Sequence, residues 1–180
     1  ADIRTFNLMR LEGDYKIVAN IPYYLTSNLI KIISESDHPP TIAVLLVQKE
    51  VAERVCATAG EMSLLSVSAQ FYWQTELGLV VPAQLFTPAP KIDSQVLILK
   101  SRQKPLFEVD SKRFFRLVKA GFAARRKTLL NSLSGGLRVD KEHIHGLLES
   151  AQIEPSKRPQ DLSLDNWFAL YQTACSQELI

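Results

Sequence analysis

Asn20-Ile21-Pro22-Tyr23-Tyr24 stands where one local pattern gives way to another. Residues 15–21, Tyr-Lys-Ile-Val-Ala-Asn-Ile, form a short apolar run rich in β-branched residues and read as a buried strand. Just after the pentapeptide, Thr26 or Ser27 is expected to cap a helix running to about Ser36, which Asp37-His38-Pro39-Pro40 stops. A second run at 41–47, Thr-Ile-Ala-Val-Leu-Leu-Val, has the continuous apolar pattern of a strand in a parallel sheet covered on both faces. Strand, helix, strand implies a right-handed crossover in an α/β sheet. The pentapeptide then falls at the carboxyl end of a parallel strand, which is where such sheets bind ligands.

Working outward, helices are expected over Gln48–Ala57 and Ser63–Tyr72, and strands over Thr75–Val81 and Ser94–Lys100. The proline-rich stretch Pro82–Pro90 between those strands reads as a loop without regular structure, and strands so joined can pair antiparallel at the end of the sheet. From Ser111 onward the pattern is helical only. Phe114, Leu117, Val118 and Gly121 follow the i, i+3, i+4, i+7 spacing of one buried helix face, as do Ile144, Leu147, Leu148 and Ala151, and Trp167, Leu170, Tyr171 and Ala174. Trp73, Trp167 and Phe168 are expected in the core. The reading is therefore an α/β part over residues 1–105 and a small all-helical domain over 106–180, joined by the linker Ser101–Asp110.

Composition excludes several classes. No apolar run approaches the roughly 20 residues of a membrane-spanning helix, and no secretory signal opens the chain, so a soluble, cytoplasmic protein is expected. Cys56 and Cys175 are far apart and read as reduced thiols, and His38, His143 and His145 have no matching ligands nearby, so no metal site is expected. The net charge of +2 conceals an asymmetry. Seven of the 21 basic residues and none of the 19 acidic ones lie between positions 112 and 127: Lys112, Arg113, Arg116, Lys119, Arg125, Arg126 and Lys127. Lys112, Arg116 and Lys119 share one helical face opposite the apolar stripe. Such a face suits an RNA phosphate backbone, and the alternative is a solvated helix surface.

The pentapeptide has a chemistry of its own. An exocyclic adenine amine is a poor nucleophile because its lone pair is delocalised into the ring. Two acceptors aimed at its N–H groups, the Asn20 side-chain oxygen and the Pro22 carbonyl, favour a pyramidal nitrogen with its lone pair free. Tyr23 can stack on the base and help offset the cost of extracting it from its neighbours. The competing reading of the tetrapeptide alone is a plain turn with a tyrosine packed behind it. Glu50, Glu53 and Arg54, near the next strand end, read as structural helix charges.

Four ordered segments resemble the ribosomal RNA adenine dimethyltransferases. They are Asn20–Tyr24, Val47–Arg54, Phe86–Ser94 (Phe-Thr-Pro-Ala-Pro-Lys-Ile-Asp-Ser) and Phe122–Asn131 (Phe-Ala-Ala-Arg-Arg-Lys-Thr-Leu-Leu-Asn). The resemblance implies a Rossmann-like S-adenosylmethionine-dependent methyltransferase sheet followed by a helical RNA-binding domain. It implies dimethylation of adenine N6 in small-subunit ribosomal RNA by direct displacement at the sulfonium methyl. Asn20 and the Pro22 carbonyl would hold the amine, while Tyr23 and Phe86 would cover the two faces of the base. Asp2 and Asn20 would touch the cofactor, and Lys112, Arg116, Lys119, Arg125, Arg126 and Lys127 would meet RNA of the small ribosomal subunit.

One part of the family pattern has no counterpart. None of the seven glycines forms a Gly-x-Gly, the backbone turn that lets a cofactor approach after the first strand, and no acidic ribose contact of a second strand precedes Asn20. The chain is thus expected to be a fragment that begins at the third strand, with an incomplete S-adenosylmethionine site and no activity alone. Two further readings stay open: a non-catalytic RNA-binding or ribosome-assembly factor on the same fold, and a large-subunit ribosomal RNA adenine N6-methyltransferase conferring macrolide resistance. A DNA adenine methyltransferase fits less well, since an acidic residue more often stands where Asn20 does.

Overall fold

A computed structural model of the 180-residue chain describes residues 6–124 and 126–180. Its contacts divide the chain into two compact units, one of residues 1–56 and 68–106 and one of residues 57–67 and 107–180.

The first unit is built on a sheet. Among the described residues its strands are β1 (Lys16–Asn20), β2 (Ile42–Gln48), β3 (Trp73–Val81) and β4 (Ser94–Ser101), in the order β1-β2-β4-β3. β1 and β2 are parallel, and β4 is antiparallel to both β2 and β3. The sheet is therefore mixed, and the expected α/β class holds. The β3–β4 pairing is antiparallel as expected, with β3 rather than β4 on the edge.

Two expectations need correcting. β1 is not a buried strand: it is an edge of the described sheet, Lys16, Val18 and Asn20 are exposed, and Ile17 and Ala19 are only half-buried. β2 is fully buried on one face, at Ala43, Leu45 and Val47, and half-buried on the other. An apolar run reports affinity for a sheet, not how many layers cover it.

Helix α1 (Thr26–Ser34) links β1 to β2, and α2 (Lys49–Val55) follows β2 directly. Leu29, Ile30 and Ile33 of α1 are buried at the i, i+1, i+4 spacing that marks one helical face. The side chain of Thr26 or Ser27 does not cap α1. A single 3-10 turn, Tyr23–Leu25, leads straight into the helix, so Thr26 is already its first residue and the cap position falls to Leu25. The buried core of the unit is closed by Phe71, Trp73, Leu97 and Leu99, and the Trp73 indole N–H donates to Ser34 Oγ at 2.7 Å.

The division between the units runs through α3 (Leu64–Tyr72). The linear division into 1–105 and 106–180 does not anticipate that residues 57–67 group with the second unit, where the Gly60 and Met62 N–H groups donate to the Gln160 carbonyl at 2.9 and 3.2 Å.

The second unit contains α4 (Ser111–Phe122), α5 (Leu129–Leu137), α6 (Lys141–Ser150) and α7 (Leu164–Ser176). Each of the four starts on a side chain that satisfies orphan amides of the first turn: Asp110, Thr128, Asp140 and Ser163 respectively. The three expected stripes are inside. Phe114, Leu117, Val118, Ile144, Leu147, Leu148, Trp167, Leu170 and Ala174 are fully buried, Gly121 and Tyr171 are buried with them, and Ala151 is half-buried. Phe168 is half-buried rather than core, with its ring stacked on Phe107 at a centroid distance of 4.2 Å. A Cβ on Gly121 would lie 2.4 Å from Cη2 of Trp167, and one on Gly136 would lie 2.7 Å from the backbone of Ala120. These two glycines let helices approach where no side chain fits.

Candidate functional site

The carboxyl end of β1 carries Asn20, and the chain then turns sharply. Pro22 adopts φ −55°, ψ 132°, and starts the 3-10 turn Tyr23–Leu25, whose Leu25 N–H donates to the Pro22 carbonyl at 2.9 Å. That carbonyl keeps a second lone pair for another donor. The Asn20 side chain is exposed and makes no hydrogen bond to a described residue.

The opposite side comes from the loop between β3 and β4. That loop is not wholly irregular: Ala83–Leu85 forms a 3-10 turn, and Phe86 follows it with its N–H on the Ala83 carbonyl at 3.2 Å. The Thr87–Pro88 peptide is cis. Together these segments line one open cleft of about 320 Å³, bounded by Asn20, Ile21, Pro22, Tyr23, Phe86, Pro88 and Pro90. The volume falls in the range of about 300–1,000 Å³ typical of small-molecule sites.

The cleft thus brings together four residues singled out from the sequence, Asn20, Pro22, Tyr23 and Phe86, although Phe86 lies 63 positions after Tyr23. Among the described residues its lining offers an amide, a backbone carbonyl and aromatic rings, and no carboxylate, imidazole or thiol. Such a set can hold a flat heterocycle by its faces and an amine by acceptors, but it supplies no strong base. Tyr23 is half-buried, and its phenol oxygen lies 2.9 Å from Oγ of the buried Ser94. Nothing local in the sequence announces that contact, since the partners are 71 residues apart.

Burial pushes up the phenols of Tyr15 and Tyr171 and the thiol of Cys56, whereas the His143 backbone N–H holds the exposed Asp140 carboxyl below the usual range. Cys56 and Cys175 are free thiols, both half-buried. Glu50 pairs with Arg54, and Lys49 with Glu53 at 3.9 Å, so these charges brace α2 along its exposed surface. Among the described residues, no helix is long and apolar enough to cross a membrane, and no three His, Cys, Asp or Glu side chains gather as a metal-ion set.

In the second unit, Lys112, Arg116 and Lys119 are exposed on α4, on the side away from Phe114, Leu117 and Val118, and Arg126 and Lys127 are exposed just beyond it. None of these five makes an ion pair with a described carboxylate. Arg113 is engaged otherwise, its guanidinium donating to the Ile180 carbonyl. Asp2 and Arg125, also singled out from the sequence, lie outside the described residues.

The family model for ribosomal RNA adenine dimethylase matches residues 2–172. The chain belongs to that family. A ribosomal RNA small subunit methyltransferase A of Dehalococcoides mccartyi is 43% identical over 154 residues, covering 85% of this chain and 53% of that protein. The same-named protein of Clostridioides difficile is 40% identical over 161 residues, covering 88% and 56%. The chain therefore spans about half the length of the curated relatives it matches. Among solved structures, a dimethyladenosine transferase from Plasmodium falciparum superposes with a TM-score of 0.76 over 96% of this chain and 70% of its own, at 23% identity. The 23S rRNA methyltransferase ErmE gives a TM-score of 0.73 at the same identity, over 96% and 69%. These two likenesses establish the Rossmann-like methyltransferase fold and no more.

Proposed function

We propose that this chain supplies the target-base half and the RNA-binding helices of an enzyme that dimethylates adenine N6 in small-subunit ribosomal RNA, with S-adenosylmethionine as methyl donor. The observation that carries the reading is the shared cleft: an exposed amide, a carbonyl with a spare lone pair and two aromatic side chains converge there from segments far apart in sequence. The similarity to small-subunit methyltransferases at about 40% identity supports the choice of reaction and of ribosomal subunit.

The roles follow from the donor set. Asn20 Oδ1 and the Pro22 carbonyl accept the two N–H bonds of the adenine amine and favour the pyramidal nitrogen of the transition state. Tyr23 and Phe86 hold the two faces of the base, each ring contributing about 1–3 kcal/mol of stacking. Of the residues expected at the cofactor, Asn20 is the one described, and its exposed amide at the carboxyl end of β1, with no hydrogen bond to a described residue, fits contact with a polar ligand. S-adenosylmethionine, when bound, supplies an electrophilic methyl group. The amine becomes acidic only after methylation, so the lack of a strong base among the described lining residues fits the reaction. A second transfer requires room for an amine that already carries one methyl, and the openness of the cleft accords with that requirement.

Residues 1–105 are assigned to the base-handling part and 106–180 to RNA binding. Lys112, Arg116, Lys119, Arg125, Arg126 and Lys127 are assigned to the phosphate backbone, and the assignment is supported by the exposure of Lys112, Arg116, Lys119, Arg126 and Lys127 without a described carboxylate partner. Asp2 remains a proposed cofactor contact. A cytoplasmic location accords with a ribosomal RNA substrate in bacteria.

The test is to incubate the full-length protein with labelled S-adenosylmethionine and undermethylated small ribosomal subunits, then digest the RNA for mass spectrometry. N6,N6-dimethyladenosine is the expected product. Binding to subunits without label transfer would favour an assembly factor, and label only in large-subunit RNA would favour the resistance-type enzyme.

A further inference from the structure

Asp93 and Ser94 are neighbours in sequence, neither lines the cleft, and each is bonded to a different wall of it. Ser94 is the first residue of β4, fully buried and registered against Gln48 of β2 and Val81 of β3. Its hydroxyl meets the Tyr23 phenol at 2.9 Å. Asp93 uses both its main chain and its side chain. Its carbonyl accepts the Lys49 N–H at 3.0 Å, and its Oδ1 accepts the Ala83 N–H at 2.9 Å. Ala83 begins the 3-10 turn whose carbonyl in turn accepts the Phe86 N–H. One dipeptide at the start of β4 thus holds both aromatic walls.

We infer that Asp93 and Ser94 are positioning residues that set the orientation and separation of the Tyr23 and Phe86 rings. The inference rests on the reading of the cleft as the target-base site. Stacking needs a defined plane, and a tyrosine at the start of a short turn is free to rotate about two side-chain torsions unless something holds it. The buried serine hydroxyl supplies that hold, and without the phenol it would be left unpaired. The carboxylate of Asp93 does the same for the opposing wall through the backbone of the turn. A ring that wanders still binds RNA, but it leaves the amine out of line for attack, so the loss falls on kcat rather than on KM.

The experiment is a double-mutant cycle in the full-length protein, with Tyr23→Phe, Ser94→Ala and their combination, measuring methyl transfer to undermethylated subunits. Each single change is expected to lower kcat about three- to tenfold, the size carried by one neutral hydrogen bond. KM for RNA should change less than twofold, the double variant should match either single, and Ser94→Thr should restore the rate. Asp93→Ala should lower kcat in the wild-type background and much less in a Phe86→Ala background. If Ser94→Ala fails to fold, Tyr23→Phe carries the test alone, because it leaves the serine in place and removes one oxygen at a half-buried site. Unchanged kcat in Tyr23→Phe, or losses that multiply in the double variant, would overturn the inference. Failure of the underlying reading looks different: wild type then transfers no methyl, or Asn20→Ala transfers it as fast as wild type.

Discussion

The cleft at the end of β1 and the basic face of α4 are both exposed, yet they are built on opposite principles. In the cleft, the walls on either side of Asn20 are held by specific bonds: the Tyr23 phenol by Ser94, the Phe86 turn by Asp93, and the Pro22 carbonyl by its own turn. On α4, the cations project from a helix whose other side is fully buried, and no described carboxylate fixes their tips. The first arrangement selects by position, where an error of about one ångström matters. The second attracts by charge, where long side chains adapt to many phosphates. The two regions should therefore fail in different ways.

The largest difference is expected from Asn20→Ala in the full-length protein. Loss of an acceptor that acts in the transition state should lower methyl transfer about a hundredfold, with RNA affinity nearly intact. Single-turnover rates and a filter-binding isotherm on the same variant check it, and equal loss in both would erase the contrast between the regions.

Phe86→Ala should cost about 1–3 kcal/mol in kcat/KM, the value of one stacked base, while Phe86→Trp should retain most of the activity. Steady-state kinetics would detect either result. A small effect would mean the base rests on Tyr23 alone.

Gly121→Ala sharpens the comparison from the other side. The added methyl meets Trp167 under the basic face, so thermal or urea unfolding should show a loss of about 1–3 kcal/mol from overpacking. The cleft should keep its specificity in whatever fraction remains folded.

Arg116→Glu with Lys119→Glu should have the mildest effect under saturating conditions. RNA binding should weaken, and the slope of log affinity against log salt should become shallower by about 0.7–0.9 for each phosphate that is no longer neutralised. A lower kcat at saturating RNA would show that α4 does more than attract.

Much of this is legible in the sequence where the signal is local. The i, i+3, i+4, i+7 stripes on α4 and α7 mark a buried face, and Phe114 and Trp167 are indeed fully buried. Pro22 between a β-branched run and a helix marks a strand end, which is where Asn20 lies. The misses have physical causes. Thr26 looks like a cap because capping chemistry is local, but the 3-10 turn before it shifts the helix start by one residue. The apolar run at 15–21 predicts burial, yet Val18 is exposed on an edge of the described sheet, since periodicity does not reveal where a strand stands in its sheet. The grouping of residues 57–67 with the helices depends on backbone bonds to Gln160, about 100 positions away. Ser94 is visible only as one letter of a familiar segment, because a hydrogen bond spanning 71 residues leaves no trace in periodicity.

The central claim is that one adenine sits in this cleft with its amine on Asn20 and Pro22. The most direct measurement is the distance from that amine to Asn20 Oδ1 and the Pro22 carbonyl, in a crystal structure of the full-length protein with its RNA stem and S-adenosylhomocysteine. Both distances should fall near about 2.7–3.2 Å, with the base between Tyr23 and Phe86. An adenine bound elsewhere, or one seated in the cleft with its amine turned away from both acceptors, would contradict the account.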